Sequence, residues 1–437
     1  MSGSAGTATA SAGRQVAGLS ALFGALYLIQ GFAEPTEGLV AQPVRSLLKE
    51  WGYGPAHIGA FAALLALPWW FKPIYGLLSD FFPIAGYRRR SYLIGASALA
   101  MCSFLGVYLF PVPAGAGWLL LAALLVPTVA VACLDVVIDA LMIDRGQPIG
   151  LTGRLQSVQW TAMWGATIVA GSLGGYLAEQ QWQYSGFLIC GLLSVAALAI
   201  VLCFVRERPI ARAQIGARPR AAASLVEAAR SPGVLLAGTF LFLWNFNPFS
   251  TAVLYLHMTE QLGLSEQFYG HSVSLMALGA LVASGLYGFY CRRVAFGLLL
   301  HGSVACGVLA TVAYLALWDS RSAAILSLAV GFFHMTGTMV QLDLAARHCP
   351  LKSAATVFAL LMALSNVSTS LATWLGGLFY ERWLETLGPN MAFNWLVVAG
   401  SAISGCCWLL APALARDERR QTILLPTPQP ELVQQAA

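Results

Sequence analysis

Charged side chains are scarce in this sequence. Only 10% of its 437 residues are Asp, Glu, Lys or Arg, whereas 58% are hydrophobic. A soluble domain usually carries about 25% charged residues. So few charges cannot solvate the surface of a water-soluble protein of this length. The composition therefore excludes that class and indicates a protein that is embedded in lipid.

Three further features are missing. The nine cysteines show no CxxC or Cys/His spacing, so they are expected to be buried apolar residues and not metal ligands or disulfides. No GxxxxGK[ST] phosphate loop and no large polar domain interrupt the chain, so we expect neither an enzyme nor a cofactor. The first thirteen residues lack the apolar core of a signal peptide and are expected to form a disordered tail. The net charge of +5 comes from arginines that flank apolar runs, so no nucleic acid partner is expected.

What the chain does contain is a series of apolar runs, each about as long as the roughly 20 residues that a helix needs to cross a membrane. They are too long and unbroken for the alternating strands of a barrel. The predicted fold is an all-α membrane protein of twelve transmembrane helices. Their expected positions are 17–42, 55–79, 91–110, 118–143, 154–178, 184–205, 233–258, 268–290, 294–317, 322–346, 353–379 and 390–411.

The two halves of the chain repeat each other. Leu134-Asp135 corresponds to Leu342-Asp343 at an offset of 208, and similar pairs elsewhere have offsets between 202 and 211. Two parallel six-helix repeats around a central cavity are the architecture of the major facilitator superfamily. The predicted organisation is a tail (1–16), a first bundle (17–205), a linker (206–232), a second bundle (233–411) and a second tail (412–437).

Lys and Arg are unevenly distributed between the loops. Nineteen lie on the side of the N-terminus and four on the other side. Positive residues favour the cytoplasmic side, so both termini are expected in the cytoplasm. We expect a multi-pass, monomeric protein of the plasma (inner) membrane, with the lipid bilayer, a small solute and protons as its partners.

A loop motif lies between the second and third spans, where Gly76 and Asp80 precede the three arginines Arg88, Arg89 and Arg90. It is similar to the cytoplasmic loop signature of the major facilitator superfamily. It predicts a gate that latches and opens in each transport cycle, together with Arg154 and Arg347. The alternative is that the arginines only anchor the protein at the interface.

Several stretches resemble the folate–biopterin transporter family. They are KPIYGLLSDFFP (72–83), YRRRSYL (87–93), FLW (242–244) with Pro248, LAARHCP (344–350) and ATVFALLM (355–362) with Asn366. The resemblance extends from about residue 27 to 380. It implies a twelve-helix carrier, usually coupled to protons, for folates, pterins or related solutes.

Acidic residues inside the spans are candidates for proton coupling, because a charge in the bilayer is costly and usually faces a cavity or a partner. Glu34 and Glu37 are expected on one face of the first helix, where two close carboxylates would raise each other's proton affinity. The alternative is that they line a wet vestibule. Asp135 and Asp139, with the repeat partner Asp343, fit either a charge relay to the arginines of the gate or proton and substrate binding.

Further polar and aromatic residues are candidates for substrate binding. Lys72 follows Trp69 and Trp70, which could stack on a flat ring, although aromatic-belt and interfacial roles are equally compatible. The other candidates could line the cavity or only contact a neighbouring helix. They are Asn245, Asn247, His334 and Asn366.

The sequence therefore predicts a secondary transporter that works by alternating access and proton symport. A muropeptide- or siderophore-type permease, and a receptor or assembly factor that transports nothing, remain alternatives.

Overall fold

The computed structural model describes residues 3–146, 152–207, 209, 231–290, 293–348 and 354–416. Within these ranges it describes the backbone alone for 3–15, 80–81, 152–154, 288–289, 346 and 354–356. Every regular element in these ranges is a helix.

The first half contains nine helices. They are α1 (Gly3–Ala33), α2 (Ala41–Glu50), α3 (Pro55–Leu65), α4 (Leu67–Trp70), α5 (Lys72–Phe81), α6 (Arg90–Leu109), α7 (Gly117–Gly146), α8 (Thr152–Glu179) and α9 (Gln183–Phe204). Helix α1 begins at Gly3, so the tail expected to be disordered is helical over most of its length. Alanine has the highest helix propensity and recurs in this segment, which runs directly into the apolar span.

The second half contains seven α-helices. They are α10 (Pro232–Asn245), α11 (Thr251–Leu256), α12 (Glu266–Tyr290), α13 (Phe296–Val312), α14 (Ser320–His348), α15 (Ala354–Leu387) and α16 (Pro389–Cys406). A π-helix, His257–Gln261, continues α11, and 3-10 turns follow α13 and α16. Most of the predicted linker (206–232) and second tail (412–437) lies outside the described residues.

Nine helices in the described ranges are long and apolar enough to cross a membrane. The three predicted spans that are not among them are 55–79, 154–178 and 233–258. The first is divided into α3, α4 and α5, the second is the less apolar helix α8, and the third is divided between α10 and α11. The all-α membrane fold is confirmed, and the count of twelve spans stays a prediction.

Proline accounts for the breaks. Pro68 and Pro73 occupy the first turns of α4 and α5, where a backbone N–H has no partner within the helix and its absence costs nothing. The helix before each proline ends, because proline cannot donate the hydrogen bond that would continue it. Pro35 follows the end of α1, and Pro248 lies between α10 and α11. The first predicted span, 17–42, is therefore interrupted at Pro35, because proline disfavours helical backbone at the residue before it.

The two halves meet along two glycine-lined contacts, α8 against α12 and α3 against α15. A Cβ atom added to Gly270 on α12 would lie 2.7 Å from Cα of Gly175 on α8. One added to Gly377 on α15 would lie 2.6 Å from the carbonyl oxygen of Pro55. Small residues at these crossings let the helix backbones approach closely. We call these two contacts the glycine seams.

Candidate functional site

An ion pair between Lys72 and Asp135 lies in the interior of the first half. Lys72 begins α5, and its Nζ is 2.7 Å from Oδ2 of Asp135 on α7. The Asp135 side chain is only 7% exposed, and its other carboxylate oxygen accepts a hydrogen bond from the side chain of Gln30 on α1. A buried charge is tolerated when it is paired and hydrogen-bonded in this way. Three helices therefore converge on one carboxylate.

Asp139 lies one turn further along α7 and has its own partners. The hydroxyl of Tyr27 donates to Asp139 Oδ1 at 2.5 Å, and Gln159 Nε2 on α8 donates to the same oxygen at 3.1 Å. The predicted charge relay between these two aspartates and the gate arginines involves Arg154, whose side chain lies outside the described set, and it stays a prediction. Lys72 is the cation that pairs with Asp135, because α5 starts at the depth of Asp135 after the break at Phe71.

The two tryptophans before Lys72 connect this site to the second half. Lys72 Nζ lies 4.6 Å from the ring centroid of Trp69, a cation–π contact. The carbonyl oxygen of Trp69 accepts a hydrogen bond from Asn366 Nδ2 at 3.3 Å, and Trp70 Nε1 donates to Ser370 Oγ at 3.2 Å. Both hydrogen bonds join α4 to α15, so the two tryptophans connect the halves.

Glu34 and Glu37 lie in the break after α1 and not on a helix face, which corrects the predicted i, i+3 arrangement. Glu34 Oε1 accepts the backbone N–H of Thr36 at 3.3 Å. Glu37 Oε1 lies 3.7 Å from Nη2 of Arg45 on α2, and the Glu37 side chain is 62% exposed. The carboxylates remain close in sequence, but each has a different environment.

A cavity of about 280 Å³ lies beside Glu37, mainly within the second half. Three of the predicted substrate residues, Asn245, Asn247 and His334, line it. The His334 ring lies 5.2 Å from that of Trp244, and Asn247 Nδ2 donates to Thr311 Oγ1 at 2.8 Å. The cavity is lined by polar, aromatic and aliphatic side chains and by the carboxylate of Glu37. The other lining residues include Phe249, Thr251, Tyr314, Thr369, Thr373 and Ser404.

The predicted gate motif forms a compact structure at one end of the first half, which we call the arginine end (residues 76–90). Gly86 has a φ of +82° in the tight turn between α5 and α6, a conformation that favours glycine. Arg89 Nε lies 3.0 Å from Asp144 Oδ2, and Arg89 Nη1 donates to Ser79 Oγ at 2.6 Å. The backbone N–H groups of residues 88–90 donate to the carboxylate of Glu207.

On the second half, Arg347 pairs with Asp343 on the same helix, with Arg347 Nε 3.0 Å from Asp343 Oδ1. The pair Arg347–Asp343, like Arg89–Asp144, joins residues of one half. The side chains of the other two predicted gate residues, Asp80 and Arg154, lie outside the described set.

A second polar cluster, which sequence reasoning missed, crosses between the halves at the opposite end of the molecule. Lys49 Nζ on α2 lies 3.3 Å from Glu266 Oε1 on α12. The same carboxylate accepts hydrogen bonds from Tyr255 OH at 2.7 Å and Gln42 Nε2 at 3.2 Å. Lys49 also donates to Thr259 Oγ1 at 3.1 Å. We call these five residues the seam cluster.

Arg45 links the seam cluster to the cavity. This residue is 8% exposed, and its Nη2 lies 3.4 Å from Thr251 Oγ1 of the second half as well as 3.7 Å from Glu37. Nearby, Glu381 of α15 accepts the backbone N–H of Ala56 at 2.9 Å, again across the halves. Polar contacts between the halves therefore occur at the end of the molecule that carries Lys49 and Glu266, and also in the interior at Trp69 and Trp70.

Two helical halves that enclose a polar interior, joined by glycine seams and polar contacts between the halves, define a multi-pass membrane protein of the transporter type. Residues 30–419 match the BT1 family, and the chain belongs to that family. It is 30% identical over 398 residues to a folate-biopterin transporter of Synechocystis, an alignment that covers 84% of this chain and 76% of the relative. It is 26% identical to a probable folate-biopterin transporter 6 of Arabidopsis thaliana, with 79% and 72% covered.

The crystal structure of a D-xylose-proton symporter shares the fold. Its TM-score is 0.69 at 14% identity, with 90% of this chain and 96% of the symporter covered. These comparisons confirm the predicted family, the transporter class and the fold of the major facilitator type. They also confirm that the chain belongs among transporters and not among enzymes.

Proposed function

We propose that this chain is a proton-coupled symporter for a folate, a pterin or a related flat, polar solute. The names of the relatives support the solute class. The cavity beside Glu37 supports it as well, because it offers aromatic faces and neutral hydrogen-bonding groups to a ring system. Lys72 is a candidate for an anionic tail of the solute, although its ammonium already pairs with Asp135 in this state.

The position of Glu37 carries the proposal of proton coupling. Its carboxylate borders the cavity and faces Arg45, which in turn contacts Thr251 across the halves. Protonation of Glu37 removes its attraction for Arg45 and so loosens the side chain that contacts Thr251 across the halves. Glu34 lies three residues away and interacts electrostatically with Lys72 and Arg45. Either carboxylate could therefore transmit proton binding to the contact between the halves.

The test compares Glu34→Gln and Glu37→Gln in liposomes, with labelled folate as the transported probe. Glutamine imitates a permanently protonated carboxylate. We therefore expect folate to be transported down its own concentration gradient as before, while accumulation driven by a pH gradient is lost. Glu385→Gln, on an exposed carboxylate, is the matched control and keeps both activities. Full pH-driven accumulation in both of the first two variants would contradict the assignment.

The solute itself is tested by ligand-dependent unfolding. A ligand that binds only the folded protein raises its apparent stability. We expect folate or a pterin to raise the melting temperature of the wild type, and to raise it less in Asn247→Ala and His334→Ala, which remove groups that line the cavity. Equal shifts in all three proteins would place the solute elsewhere.

A further inference from the structure

We infer that a single buried water molecule binds in the first half, between α1, α6, α7 and α9, behind the Gln30–Asp135 contact. A cavity of about 20 Å³ lies there. About 10–15 Å³ is enough for one water molecule. The polar residues that line this cavity are Gln30, Ser97 and Ser194, one from each of three helices.

Two buried polar atoms at this cavity require a partner. Gln30 Oε1 and Ser97 Oγ are buried and make no hydrogen bond to the part of the protein that the structure describes. Gln30 is 4% exposed and Ser97 is completely buried. A buried acceptor or donor without a partner costs free energy, and most such groups in folded proteins are satisfied by protein or by ordered water.

The orientation of the Gln30 amide follows from its other neighbour. Gln30 presents its Nε2 to the Asp135 carboxylate, which also pairs with the ammonium of Lys72. Its Oε1 must then point away from Asp135. Reversing the amide would place its oxygen against a carboxylate oxygen, where neither atom can donate.

One water molecule satisfies all three groups. It donates to Gln30 Oε1 and to Ser194 Oγ, and it accepts from the hydroxyl of Ser97. Ser194 Oγ keeps its own donation to the carbonyl oxygen of Cys190 at 2.8 Å, which leaves its lone pairs available to accept. Three hydrogen bonds are typical of a buried water molecule.

The chemistry of the lining favours water over a metal cation. The remaining lining residues are the aliphatic Leu26, Ile29, Ala33, Ala100, Val131, Leu134, Ile138 and Ala197. Three neutral oxygen atoms are fewer than the six or more that hard cations such as Ca²⁺ require. Water in this position holds the Gln30 amide with its nitrogen directed at Asp135.

A double-mutant cycle on the purified full-length protein tests the site. Ser97→Ala removes a partner of the water molecule, so we expect it to lower the melting temperature of the wild type. In a Gln30→Met background there is no amide oxygen to satisfy, and the same change should lower it clearly less. Ser401→Ala is the matched control, because Ser401 Oγ donates only within its own helix, to Val397 O, and its effect should be equal in both backgrounds.

Additive effects of Ser97→Ala and Gln30→Met would overturn the proposal. A wild-type density map that resolves ordered water gives an independent check, with density expected between Gln30 and Ser97. An empty cavity, or density surrounded by five or more close oxygen atoms as for a cation, would also overturn it. Neither measurement depends on transport, so a failure of the proposed symport would leave this result unaffected.

Discussion

The pair Lys72–Asp135 shows that two functional candidates can be found from sequence while their contact with each other cannot. A lone lysine and an aspartate within apolar runs mark both as functional candidates, because such charges are expensive in a membrane. Their pairing could not be predicted, since they lie 63 positions apart and their contact depends on the break that starts α5 at Lys72. Tyr27 and Gln30 could have been found, because they precede Glu34 at helical spacing on α1.

We expect the single variants Asp135→Asn and Lys72→Met each to lower the free energy of unfolding by about 2–3 kcal/mol, because each leaves one buried charge without its partner. This is below the usual cost for a fully buried pair, since the Lys72 side chain is 22% exposed. The double variant should regain most of the loss. Denaturant or thermal unfolding of the purified protein measures the three values.

Transport by the double variant separates structure from function. If the pair acts in transport, the double variant stays inactive although its stability has recovered. Strictly additive losses of stability would show that Lys72 and Asp135 do not depend on each other. Recovery of both stability and transport would reduce the pair to a structural role.

At the scale of the elements, length and hydrophobic composition located the helices, and proline determined where they break. The predicted spans and the observed helices agree closely for α6, α7 and α9, which contain uninterrupted apolar runs. The first, second and seventh predicted spans are each broken beside a proline. Apolar composition continues through such a break, so hydropathy alone does not reveal it, although the prolines do.

The glycine seams give a prediction at this scale. In Gly270→Ala the new methyl group would meet the backbone of Gly175 on α8, so α8 and α12 must separate. We expect the separation to favour a state in which this end of the molecule is open. Spin labels at Gln180 and Gln261, on opposite halves next to the seam cluster and in a cysteine-free background, should show a longer mean distance.

Gly302→Ala is the control for that substitution, because a Cβ at Gly302 would meet no atom within 4 Å. Alanine there should slightly stabilise α13 through its helix propensity, by up to about 1 kcal/mol, without changing the label distance. An unchanged distance in Gly270→Ala would contradict the role of close helix approach.

The seam cluster gives a related prediction from charge. Glu266→Gln removes the carboxylate that Lys49, Tyr255 and Gln42 share. The same pair of labels should then report a larger open population, because the hydrogen-bonded lock between the halves is weakened. Glu385→Gln, on an exposed carboxylate, should leave the distribution unchanged. A response of equal size in both variants would point to a general effect of net charge.

At the scale of the whole molecule, duplication explains why the two halves have corresponding breaks but different chemistry. The first helix of each half is interrupted at equivalent positions, after Ala33 and after Asn245. The first half places charged residues at its break and the second half places amides there, as Glu34 and Asn245 show. This division assigns proton coupling to the first half and the neutral cavity to the second in the mechanism that we propose.

The predicted orientation determines which side of the membrane the seam cluster closes. The 19 to 4 distribution of Lys and Arg puts the arginine end in the cytoplasm and the seam cluster outside. The cross-half contacts at Lys49 and Glu266 then close the outer side. Reporter fusions test the orientation. Alkaline phosphatase should be active when it is fused after Gly115 or Gly388, and a fluorescent protein that folds only in the cytoplasm should be bright after residue 416. Activity of the phosphatase at 416 would reverse the orientation, and the structure would then be closed towards the cytoplasm.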